Sequence, residues 1–385
     1  MDSTSTLAPD HVDTNFQLAI LRSDLLPALQ AIASIVDKKQ TLPILSHLLL
    51  RINDQKLTII GTDLEIELIK VIPLSSKQPN GEMTVPARKL FDICKALPED
   101  AVLHCVRKQH QLLITSGKSR FTLTLLPASR FPCVEKTGQD LFTLTTDSGA
   151  FKDLLERTSF AMAIQDVRYF LNGLLLDITG AECTAVATDG HRLAMSRMSL
   201  PASFDSRKQV LLPRKSVLEL VKLLNTQSDN TDITLTVGEN YISILGPNFE
   251  FISKLIDSRF PAYRGLIPKS EGSIITVDMV ALKETLLRVA ILSNEKYRGA
   301  WLDFSEDRVI LQTNNPDKDE AEEELPVTLQ GDAVRIGCNI SSLLDILAVL
   351  SGEMVQFATL NANASILVQD PAALDHVYVV MPMCL

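Results

Sequence analysis

The feature that most constrains this fold is a set of landmarks that occurs three times along 385 residues. Short turn motifs (GTD, ATD and QTN) place a threonine at intervals of 126 and 125 residues, at Thr62, Thr188 and Thr313. Helical patterns place an acid at intervals of 127 and 126 residues, at Asp92, Glu219 and Asp345. Self-similarity at a fixed period indicates repeated structural units, so we predict three copies of one domain of about 128 residues.

Each repeat combines two helical patterns with several strand patterns. The first helix has apolar residues at i and i+4 in SDLLPALQAIASIV, GAFKDLLERTSF and VALKETLLRVAIL. The second helix lies in VPARKLFDICKALP, LLPRKSVLELVKLL and CNISSLLDILAVL. Runs such as HLLLRIND, FTLTLLP and NYISILGP alternate with the period of half-buried antiparallel strands. We therefore predict an α+β fold in which each repeat packs two helices on one face of an antiparallel sheet.

Polar stretches that follow the SRFP motifs indicate where the domains end. SRFP occurs at 129–132 and at 258–261. We predict a polar extension at 1–15 and domains at 16–140, 141–272 and 273–385. The extension has no basic start and no apolar run, so it does not have the pattern of a secretory signal.

Composition is typical of a globular cytoplasmic protein. Hydrophobic residues make up 46% of the chain, and every apolar run is interrupted before the roughly 18 positions of a membrane helix. The six cysteines form no CxxC pair, which favours reduced thiols over disulfides or a zinc site. A net charge of -10 argues against phosphate contacts by the chain as a whole, because lysine and arginine carry such contacts. Local basic surfaces remain compatible with that charge.

Motifs for catalysis and nucleotide binding are missing, so no cofactor or metal is predicted. The chain has no GxxxxGK[ST], GxGxxG, GxSxG or HExxH pattern. The segment ATDGHRLAMS allows two interpretations. One is a hydrolase that uses Asp189, His191 and Ser196; the other is a tight turn at Asp189 and Gly190 beside a surface pocket. Residues two apart on a turn do not usually form a proton relay, so we favour the turn.

The third repeat contains an acidic run and the only tryptophan of the chain. Six acids and one lysine occupy 317–324, and such a run is either a solvated segment or an acidic edge that contacts a basic partner surface. Both interpretations stay open. Trp301 lies between Ala300 and Leu302 in a strand pattern, which predicts a core residue.

Several longer motifs resemble one known family. In chain order they are TLPIL, VPARKLFDIC, QDVRYFLNG, TDGHRLA, SRFPAY, ILSNEKYRG and YVVMPM. Together they resemble the bacterial DNA polymerase III beta subunit, the replicative sliding clamp, over residues 16–385. The resemblance implies a non-catalytic homodimer whose six domains close a ring around double-stranded DNA of any sequence. It also implies that an ATP-dependent clamp loader places the ring on DNA.

The resemblance implies a basic lining that contacts DNA. Long basic side chains attract phosphates without reading bases, and the second helices of the first two repeats carry them at matching places. The expected DNA contacts are Lys39, Arg88, Lys89, Gln165, Arg168, Tyr169, Arg214 and Lys215. The third repeat departs from this pattern, because CNISSLLDILAVL has no lysine or arginine.

The resemblance also implies a head-to-tail contact between two chains. An apolar centre with a rim of complementary charge suits such a contact. The strand GKSRFTL of the first repeat supplies the basic side, and the third repeat supplies the acidic side. The expected interface residues are Lys118, Arg120, Phe121, Leu123, Ile291, Leu292, Glu322, Glu323 and Glu324.

A groove between the second and third domains is the other implied site. In the family it binds short linear motifs rich in Gln, Leu and Phe, carried by the polymerase alpha subunit, the clamp loader, repair polymerases, mismatch-repair proteins and ligase. The matching residues are Leu171, Thr188, Gly190, His191, Arg192, Leu193, Pro261, Leu266, Ser365, Val379, Val380, Met381, Pro382 and Met383. Gly265 and Cys384 replace basic residues that are common in relatives, which predicts a less basic rim.

Two alternatives remain open for the function. A paralogue with the clamp fold would act mainly in repair or as a drug-resistant copy. A hydrolase would use Asp189, His191 and Ser196, and an esterase or phosphatase screen with a Ser196→Ala control distinguishes it from a clamp.

Overall fold

The structure is a computed structural model that describes residues 16–36, 42–134, 136, 139–228, 231–269 and 272–385. The predicted extension at 1–15 and the expected DNA contact Lys39 lie outside these residues. Internal contacts divide the chain into two compact units. The first unit combines the described part of 1–145 with Asp232–Lys254, and the second combines Thr146–Thr231 with Leu255–Leu385.

Helices form at the predicted positions, two in each repeat of the described chain. Their bounds are α1 (Arg22–Ile35), α2 (Ala87–Ala96), α3 (Ser148–Ser159), α4 (Arg214–Leu224), α5 (Met279–Val289) and α6 (Ile340–Val349). The two helices of each repeat contact each other. Side chains of Asp147, Asp278 and Asn339 accept backbone N–H bonds at the starts of α3, α5 and α6. Such caps stabilise a helix N-terminus, so these starts are determined locally.

Strands alternate with the helices in all three repeats. The first repeat contains β1 (Gln17–Leu21), β2 (His47–Asn53), β3 (Lys56–Thr62), β4 (Ile66–Pro73), β5 (Gly81–Pro86), β6 (Val102–Lys108), β7 (Gln111–Ser116) and β8 (Ser119–Thr124). The second contains β9 (Asp140–Asp147), β10 (Gly173–Thr188), β11 (Arg192–Pro213), β12 (Asp232–Gly238), β13 (Tyr241–Leu245) and β14 (Phe249–Lys254). The third contains β15 (Ser273–Asp278), β16 (Gly299–Phe304), β17 (Arg308–Asn314), β18 (Glu320–Pro326), β19 (Thr328–Gln330), β20 (Val334–Asn339), β21 (Met354–Thr359), β22 (Ile366–Gln369) and β23 (His376–Val380).

The strands are shared between repeats, which differs from the expectation of one sheet per repeat. The first unit has a four-stranded sheet, β1-β6-β7-β8, and an eight-stranded sheet, β5-β2-β3-β4-β14-β13-β12-β9. The second unit has a four-stranded sheet, β18-β17-β16-β20, and a seven-stranded sheet, β10-β11-β23-β22-β21-β15-β19. An edge strand keeps unpaired N–H and C=O groups until another strand adds to it. Neighbouring repeats satisfy these groups, and hydrophobic periodicity does not reveal which strand does so.

The two junctions between repeats have the same register. β4 pairs antiparallel with β14 over five residue pairs, starting with Ile66 opposite Ser253. β11 pairs antiparallel with β23 over five residue pairs, starting with Arg192 opposite Val380. In each case the strand that follows the turn threonine pairs with the last long strand of the next repeat. Among the described residues, β8 and β18 are outermost strands of their sheets.

The single tryptophan lies outside the core, so the prediction for Trp301 is wrong. In β16 the buried side chains are Ala300, Leu302 and Phe304, which point to one face of the sheet. Trp301 is half-buried on the opposite face, and the Cζ atom of Arg335 lies 4.9 Å from its ring centroid. Consecutive side chains of a strand point to opposite faces, so apolar neighbours at i±1 do not indicate burial.

The cysteines are free thiols, as the sequence predicts. Burial raises the pKa of Cys105, Cys183 and Cys338 to about 12, which keeps these three thiols protonated and unreactive. Within the described residues, no helix has the length and apolar character needed to cross a membrane.

Candidate functional site

The turn at 188–192 is built by two side chains that bind backbone groups. Thr188 Oγ1 donates to the carbonyl oxygen of Arg192 (2.6 Å) and accepts from Gly190 N (3.1 Å). Asp189 Oδ1 accepts the backbone N–H groups of His191 (2.9 Å) and Arg192 (3.0 Å). An aspartate that binds the backbone ahead of it stabilises a tight turn. The interpretation of ATDGHR as a turn is confirmed.

The guanidinium of Arg192 is engaged within the protein. Its Nε donates to Oδ2 of Asp189 (3.1 Å), Nη1 to Oδ2 of Asp345 (2.6 Å), and Nη2 to the carbonyl oxygen of Phe160 (3.0 Å). The side chain is 14% exposed and stacks over the Phe160 ring at 5.2 Å. Because all three nitrogens already donate, Arg192 positions the turn against α6 and α3.

Pairing of β11 with β23 places apolar side chains next to this turn. Leu193 lies opposite Val379, and both are buried in one hydrophobic cluster. The segment after β23 returns to the turn, because Met381 N donates to the carbonyl oxygen of His191 (2.8 Å). Met381 is 37% exposed, and its sulfur lies 3.2 Å from Ser365 Oγ. A flexible methionine over a buried apolar layer can adapt to different apolar side chains.

A buried polar network, which the sequence reasoning missed, fixes one wall of this surface. Tyr263 begins the 3₁₀ turn Tyr263–Leu266, and its hydroxyl donates to Asp177 Oδ2 (2.8 Å). Arg207 donates two bonds to the same carboxylate, of 2.7 and 2.6 Å. Burial favours a raised pKa for Asp177, but the hydrogen bonds from Arg207 and Tyr263 lower that pKa below its ordinary value. The motif SRFPAY contains Tyr263 and is the signal that could have revealed the network.

The structure brings most of the expected peptide-site residues together in the second unit, where Leu171, Leu193, Val379 and Val380 are buried. Strand pairing and hydrogen bonds join Thr188, Gly190, His191, Arg192, Leu193, Ser365, Val379, Val380 and Met381. Pro261 and Leu266 flank Tyr263, which packs in the cluster of Leu193. Leu171 N donates to the carbonyl oxygen of Arg168 (2.9 Å), whose guanidinium borders Gly190. Pro382 and Met383 continue the segment beyond Met381.

The hydrolase interpretation is wrong on geometric grounds. Ser196 is 1% exposed, and its hydroxyl pairs with Nδ1 of His376 at 2.8 Å instead of with His191. Asp189 uses its carboxylate to hold the backbone of His191 and Arg192 and the side chain of Arg192. A buried hydroxyl without access to solvent cannot attack a substrate.

The expected DNA contacts on the first unit are exposed. Arg88 and Lys89 lie in the first turn of α2, and both are exposed. Arg88 Nε lies 3.6 Å from Asp92 Oδ1, four residues along the helix. Such exposed pairs contribute little to stability, so both cations remain available to a phosphate.

The expected DNA contacts on the second unit have different environments. Gln165, Arg168 and Tyr169 are exposed on one loop, and hydrogen bonds from Arg168 lower the pKa of Asp166 to about 2. Arg214 starts α4, where its Nη1 donates to the carbonyl oxygen of Met162 (3.0 Å). Burial lowers the pKa of Arg214 from its ordinary value, and the neighbouring Lys215 is half-buried. Arg168 is already paired with Asp166, to which it donates bonds of 3.0 and 2.9 Å, so a phosphate at this loop competes with that carboxylate.

The expected dimer residues of the first repeat lie on and beside an outermost strand. Lys118 and Arg120 are exposed at β8, and Phe121 is half-buried. Leu123 is already buried, at 7% exposure, opposite Leu112 of its own sheet. Only part of the apolar set of this strand is therefore available to a second chain.

The expected dimer residues of the third repeat include an exposed isoleucine and an acidic strand. Ile291 is 76% exposed, and Leu292 is half-buried. Glu322 and Glu324 are exposed on β18, where Glu324 lies 3.2 Å from Arg308. Glu323 points to the other face and accepts three bonds from Arg288, of 2.8, 3.1 and 2.5 Å, which lower its pKa. The acidic run therefore forms an edge strand.

Three family models match the chain in order. They describe the N-terminal, central and C-terminal domains of the DNA polymerase III beta subunit, and they match residues 16–135, 145–262 and 264–384. The beta sliding clamp of Pseudomonas putida is 46% identical over 364 residues, which are 94% of this chain and 98% of that protein. The beta sliding clamp of Escherichia coli is 41% identical over 367 residues, which are 95% of this chain and 99% of that protein.

Solved structures agree with these matches. A crystal structure of the DNA polymerase III subunit beta from Pseudomonas aeruginosa has a TM-score of 0.92 at 43% identity, covering 96% of this chain and 100% of that chain. A sliding clamp from the same organism bound to griselimycin has a TM-score of 0.93 at 43% identity, with the same coverage.

The fold and its matches define a DNA sliding clamp, a non-catalytic processivity factor that works with DNA and a polymerase. Within that class, the chain belongs to the DNA polymerase III beta subunit family. The predicted α+β fold of three tandem clamp domains is confirmed.

Proposed function

We propose that this clamp works as a homodimeric ring in which β18 of one chain pairs with β8 of the other. The observation that carries the proposal is the shared register of β4 with β14 and of β11 with β23. In both junctions the strand after the turn threonine pairs with the last long strand of the next repeat. For the third repeat that strand is β18, and the next repeat is the first repeat of a second chain, whose last long strand is β8.

Charge and apolar surface support this pairing. Exposed Lys118 and Arg120 accompany β8, and exposed Glu322 and Glu324 lie on β18. Opposite charges on neighbouring strands attract each other, and an exposed apolar residue such as Ile291 gains free energy when a second chain covers it. Two chains joined head to tail make two such junctions and close a ring of six domains.

We infer that the ring encircles double-stranded DNA and slides along it. Contacts with phosphate through Arg88, Lys89, Arg168, Arg214 and Lys215 are independent of base sequence, and Gln165 and Tyr169 add polar and stacking contacts. The net charge of -10 is compatible with this role, because acids such as those of 317–324 concentrate away from these helices and this loop in the sequence. An acidic exterior with a basic lining favours DNA inside the ring. In the third repeat the second helix, α6, has no lysine or arginine.

We propose that partner proteins dock a short linear motif on the surface around 188–193 and 379–383. The motif would be rich in Gln, Leu and Phe, and its apolar side chains would pack on Met381 and Leu266 above the buried Leu193 and Val379. The expected partners are the polymerase alpha subunit, an ATP-dependent clamp loader, repair polymerases, mismatch-repair proteins and ligase, all in the cytoplasm. We also propose that the three domains span residues 16–140, 141–272 and 273–385.

Sedimentation tests the dimer contact. A Lys118→Glu, Arg120→Glu variant and a Glu322→Lys, Glu324→Lys variant should each be monomeric, because like charges then face each other. Mixing the two variants should restore a dimer, since both junctions of the mixed ring are complementary again. A Lys56→Glu, Lys77→Glu variant is the matched control and should stay dimeric. Stable dimers of both single-sided variants would overturn the proposed pairing.

Primer extension on circular DNA tests the role in replication. With a clamp loader and a replicative polymerase, the protein should lengthen the products synthesised in one binding event. The monomeric charge variants should lose this effect, and the mixed dimer should regain it. Product length that does not depend on the protein would contradict the proposed processivity role.

A further inference from the structure

A groove on the outer face of the sheet β18-β17-β16-β20 shares Glu322 with the proposed dimer strand and Met383 with the proposed peptide site, but the function proposed above does not use the groove itself. Its volume is about 790 Å³, and its floor contains Trp301, Gln312 and Thr313. One wall is the loop 314–316 with the start of β18, and the other wall is the segment 383–385. The inner face of the same sheet carries the buried core residues, so this groove is a surface feature distinct from the core.

A row of polar and aromatic side chains crosses the sheet along the groove. Arg335 stacks on Trp301 at 4.9 Å and donates from Nη2 to Oε1 of Gln312 (3.1 Å). Gln312 Nε2 in turn donates to Oε2 of Glu322 (2.7 Å) on the outermost strand. Trp301 and Gln312 lie directly opposite each other in the strand register. The row holds the indole and the guanidinium in defined positions.

Arg335 extends along the groove toward Gln312. Asp303 lies directly opposite Arg335 in the register. The guanidinium instead extends over Trp301 to Gln312, and among the described residues it makes no ion pair. Tryptophan and arginine are residue types that dominate binding energy at protein interfaces, and here both line one concave surface. The groove therefore offers a half-buried indole stacked with a cation that has no carboxylate partner among the described residues.

The groove adjoins the proposed peptide site through one shared segment. Met381 N donates to the carbonyl oxygen of His191 at the peptide site. Two residues on, Met383 N donates to the carbonyl oxygen of Gly337 (2.8 Å) at the groove. The Leu385 side chain lies over Gly299 and Gly337, where a Cβ atom on Gly299 would come within 2.2 Å of it. The segment 381–385 therefore contacts both the peptide site and the groove. A bound polypeptide that continues from the peptide site along this segment reaches the groove.

We propose that this groove binds an extended part of a partner protein that adjoins its linear motif and carries an aromatic residue next to carboxylates. The aromatic ring would pack on Trp301, and a carboxylate would pair with Arg335. This inference rests on the proposed peptide site, because continuity with that site selects the occupant. Glu320 and Glu322 line the other end of the groove, on the strand proposed to pair with the basic strand of a second chain, and Arg335 is the one cation among the residues that line the groove.

The only tryptophan of the chain makes the test direct, since intrinsic tryptophan emission reports on the groove alone. The probes are a motif peptide (Ser-Gln-Leu-Leu-Phe-Ser) and the same peptide carrying Gly-Phe-Asp-Glu through a Gly-Ser spacer at either end. The full-length protein should bind one of the extended peptides about tenfold more tightly than the motif peptide, with a change in Trp301 emission. An extension of Gly-Phe-Asn-Gln should give no such gain, because it lacks the carboxylates.

Variants separate the groove from the peptide site. Arg335→Gln should abolish the tenfold gain and leave binding of the motif peptide unchanged, whereas Arg130→Gln, an exposed arginine of the first unit, should keep the gain. Equal binding of the extended and motif peptides, an unchanged Trp301 emission, or equal gains from the acidic and amide extensions would each overturn the proposal. The comparison of the acidic and amide extensions uses the unaltered protein, so it decides the matter even where a variant fails to fold.

Two further outcomes distinguish this inference from the proposals on which it depends. If the motif peptide itself does not bind, the proposed peptide site is wrong. The free Gly-Phe-Asp-Glu peptide should then still change the emission of Trp301. If that emission does not change, the proposed binding to the groove is overturned as well. If Arg335→Gln converts the dimer to a monomer in sedimentation, the groove belongs to the contact between chains, and the proposal is overturned.

Discussion

The turns at 62–66 and 188–192 are closed by the same bonds from a threonine and an aspartate to the backbone, but their other side chains differ. Thr62 Oγ1 donates to the carbonyl oxygen of Ile66 (2.7 Å) and accepts from Leu64 N (3.0 Å). Asp63 Oδ1 accepts from the N–H groups of Glu65 (3.0 Å) and Ile66 (2.7 Å). These are the four bonds that Thr188 and Asp189 make in the second repeat.

The two turns differ at the position where each following strand begins. Ile66 is fully buried in the first repeat, whereas Arg192 carries its guanidinium to Asp189, Asp345 and Phe160 in the second. The comparison teaches that Thr and Asp build the shared turn. The residues between and after them, Gly190, His191 and Arg192, convert one copy into a candidate binding surface.

The largest expected effect comes from truncating the residue that starts each strand. Ile66→Ala should lower the free energy of unfolding by about 3 kcal/mol, because it leaves a cavity. Arg192→Ala should lower it by about 2 kcal/mol, because two carboxylates and a carbonyl lose their donor. Only Arg192→Ala should weaken binding of a motif peptide, by about tenfold. Urea denaturation and peptide titration measure the two effects, and equal peptide affinities would remove Arg192 from the site.

Removal of the turn hydroxyl should affect both repeats alike. Thr62→Val and Thr188→Val each remove a hydroxyl that accepts from a backbone N–H and donates to a backbone carbonyl. Both should lower the free energy of unfolding by about 1.5 kcal/mol. Chemical denaturation of the two variants makes the comparison. A loss confined to one repeat would show that the turns are not energetically equivalent.

The third residue of each turn has positive φ, and exchanging glycine and a side chain there should affect the two repeats differently. Gly190 has φ +90°, and a Cβ atom there would lie 3.1 Å from Arg168 Nη2. Gly190→Ala should cost about 1 kcal/mol through backbone strain and displace Arg168. Leu64 already accepts φ +79°, so Leu64→Gly should change stability by about 0.5 kcal/mol or less, as relief of strain offsets lost chain entropy. Thermal melts of both variants provide the measurement.

The smallest expected effect is on the pH dependence of stability, and it arises at the fifth residue pair of the junctions β4–β14 and β11–β23. Ser196 pairs there with His376 in the second junction, whereas Lys70 lies opposite Phe249 in the first. Burial, then the nearby charge of Arg157, lowers the pKa of His376 from its ordinary value of 6.5, although nearby aspartates oppose the shift. The neutral form is the one that the fold favours.

A depressed histidine pKa contributes stability that is present above pH 6.5 and is lost as the pH falls below that value. The urea concentration at the unfolding midpoint should therefore decrease when the pH is lowered from 7.5 to 5.5. The decrease should be smaller for the His376→Gln variant than for the unaltered protein. His47, whose pKa burial lowers to about 4, acts in the same direction and supplies the remaining slope. Identical slopes for the variant and the unaltered protein would exclude His376 as the source.

The repeats, the helices and the turn were predictable from the sequence because their signals are local. Helix periodicity, Asx caps and the Thr-Asp pair act within a few residues, and a period near 126 residues exposes the triplication. The sequence also indicated the family, through motifs spread over 16–385. Alternation in GAWLDF predicts Trp301 on the outer face; a prediction based on its nearest neighbours placed it in the core.

Other features depend on residues far apart in the chain, and only the tertiary structure decided them. Arg192 meets Asp345, and Asp177 meets Tyr263, because strand pairing brings distant segments together. Ser196 finds His376 and not His191, since a residue in a strand faces its cross-strand partner. Local sequence determines which residues can form a helix, a strand or a turn. The choice among possible partners depends on long-range pairing, which decides the edges left open at β8 and β18 and the surfaces available for binding.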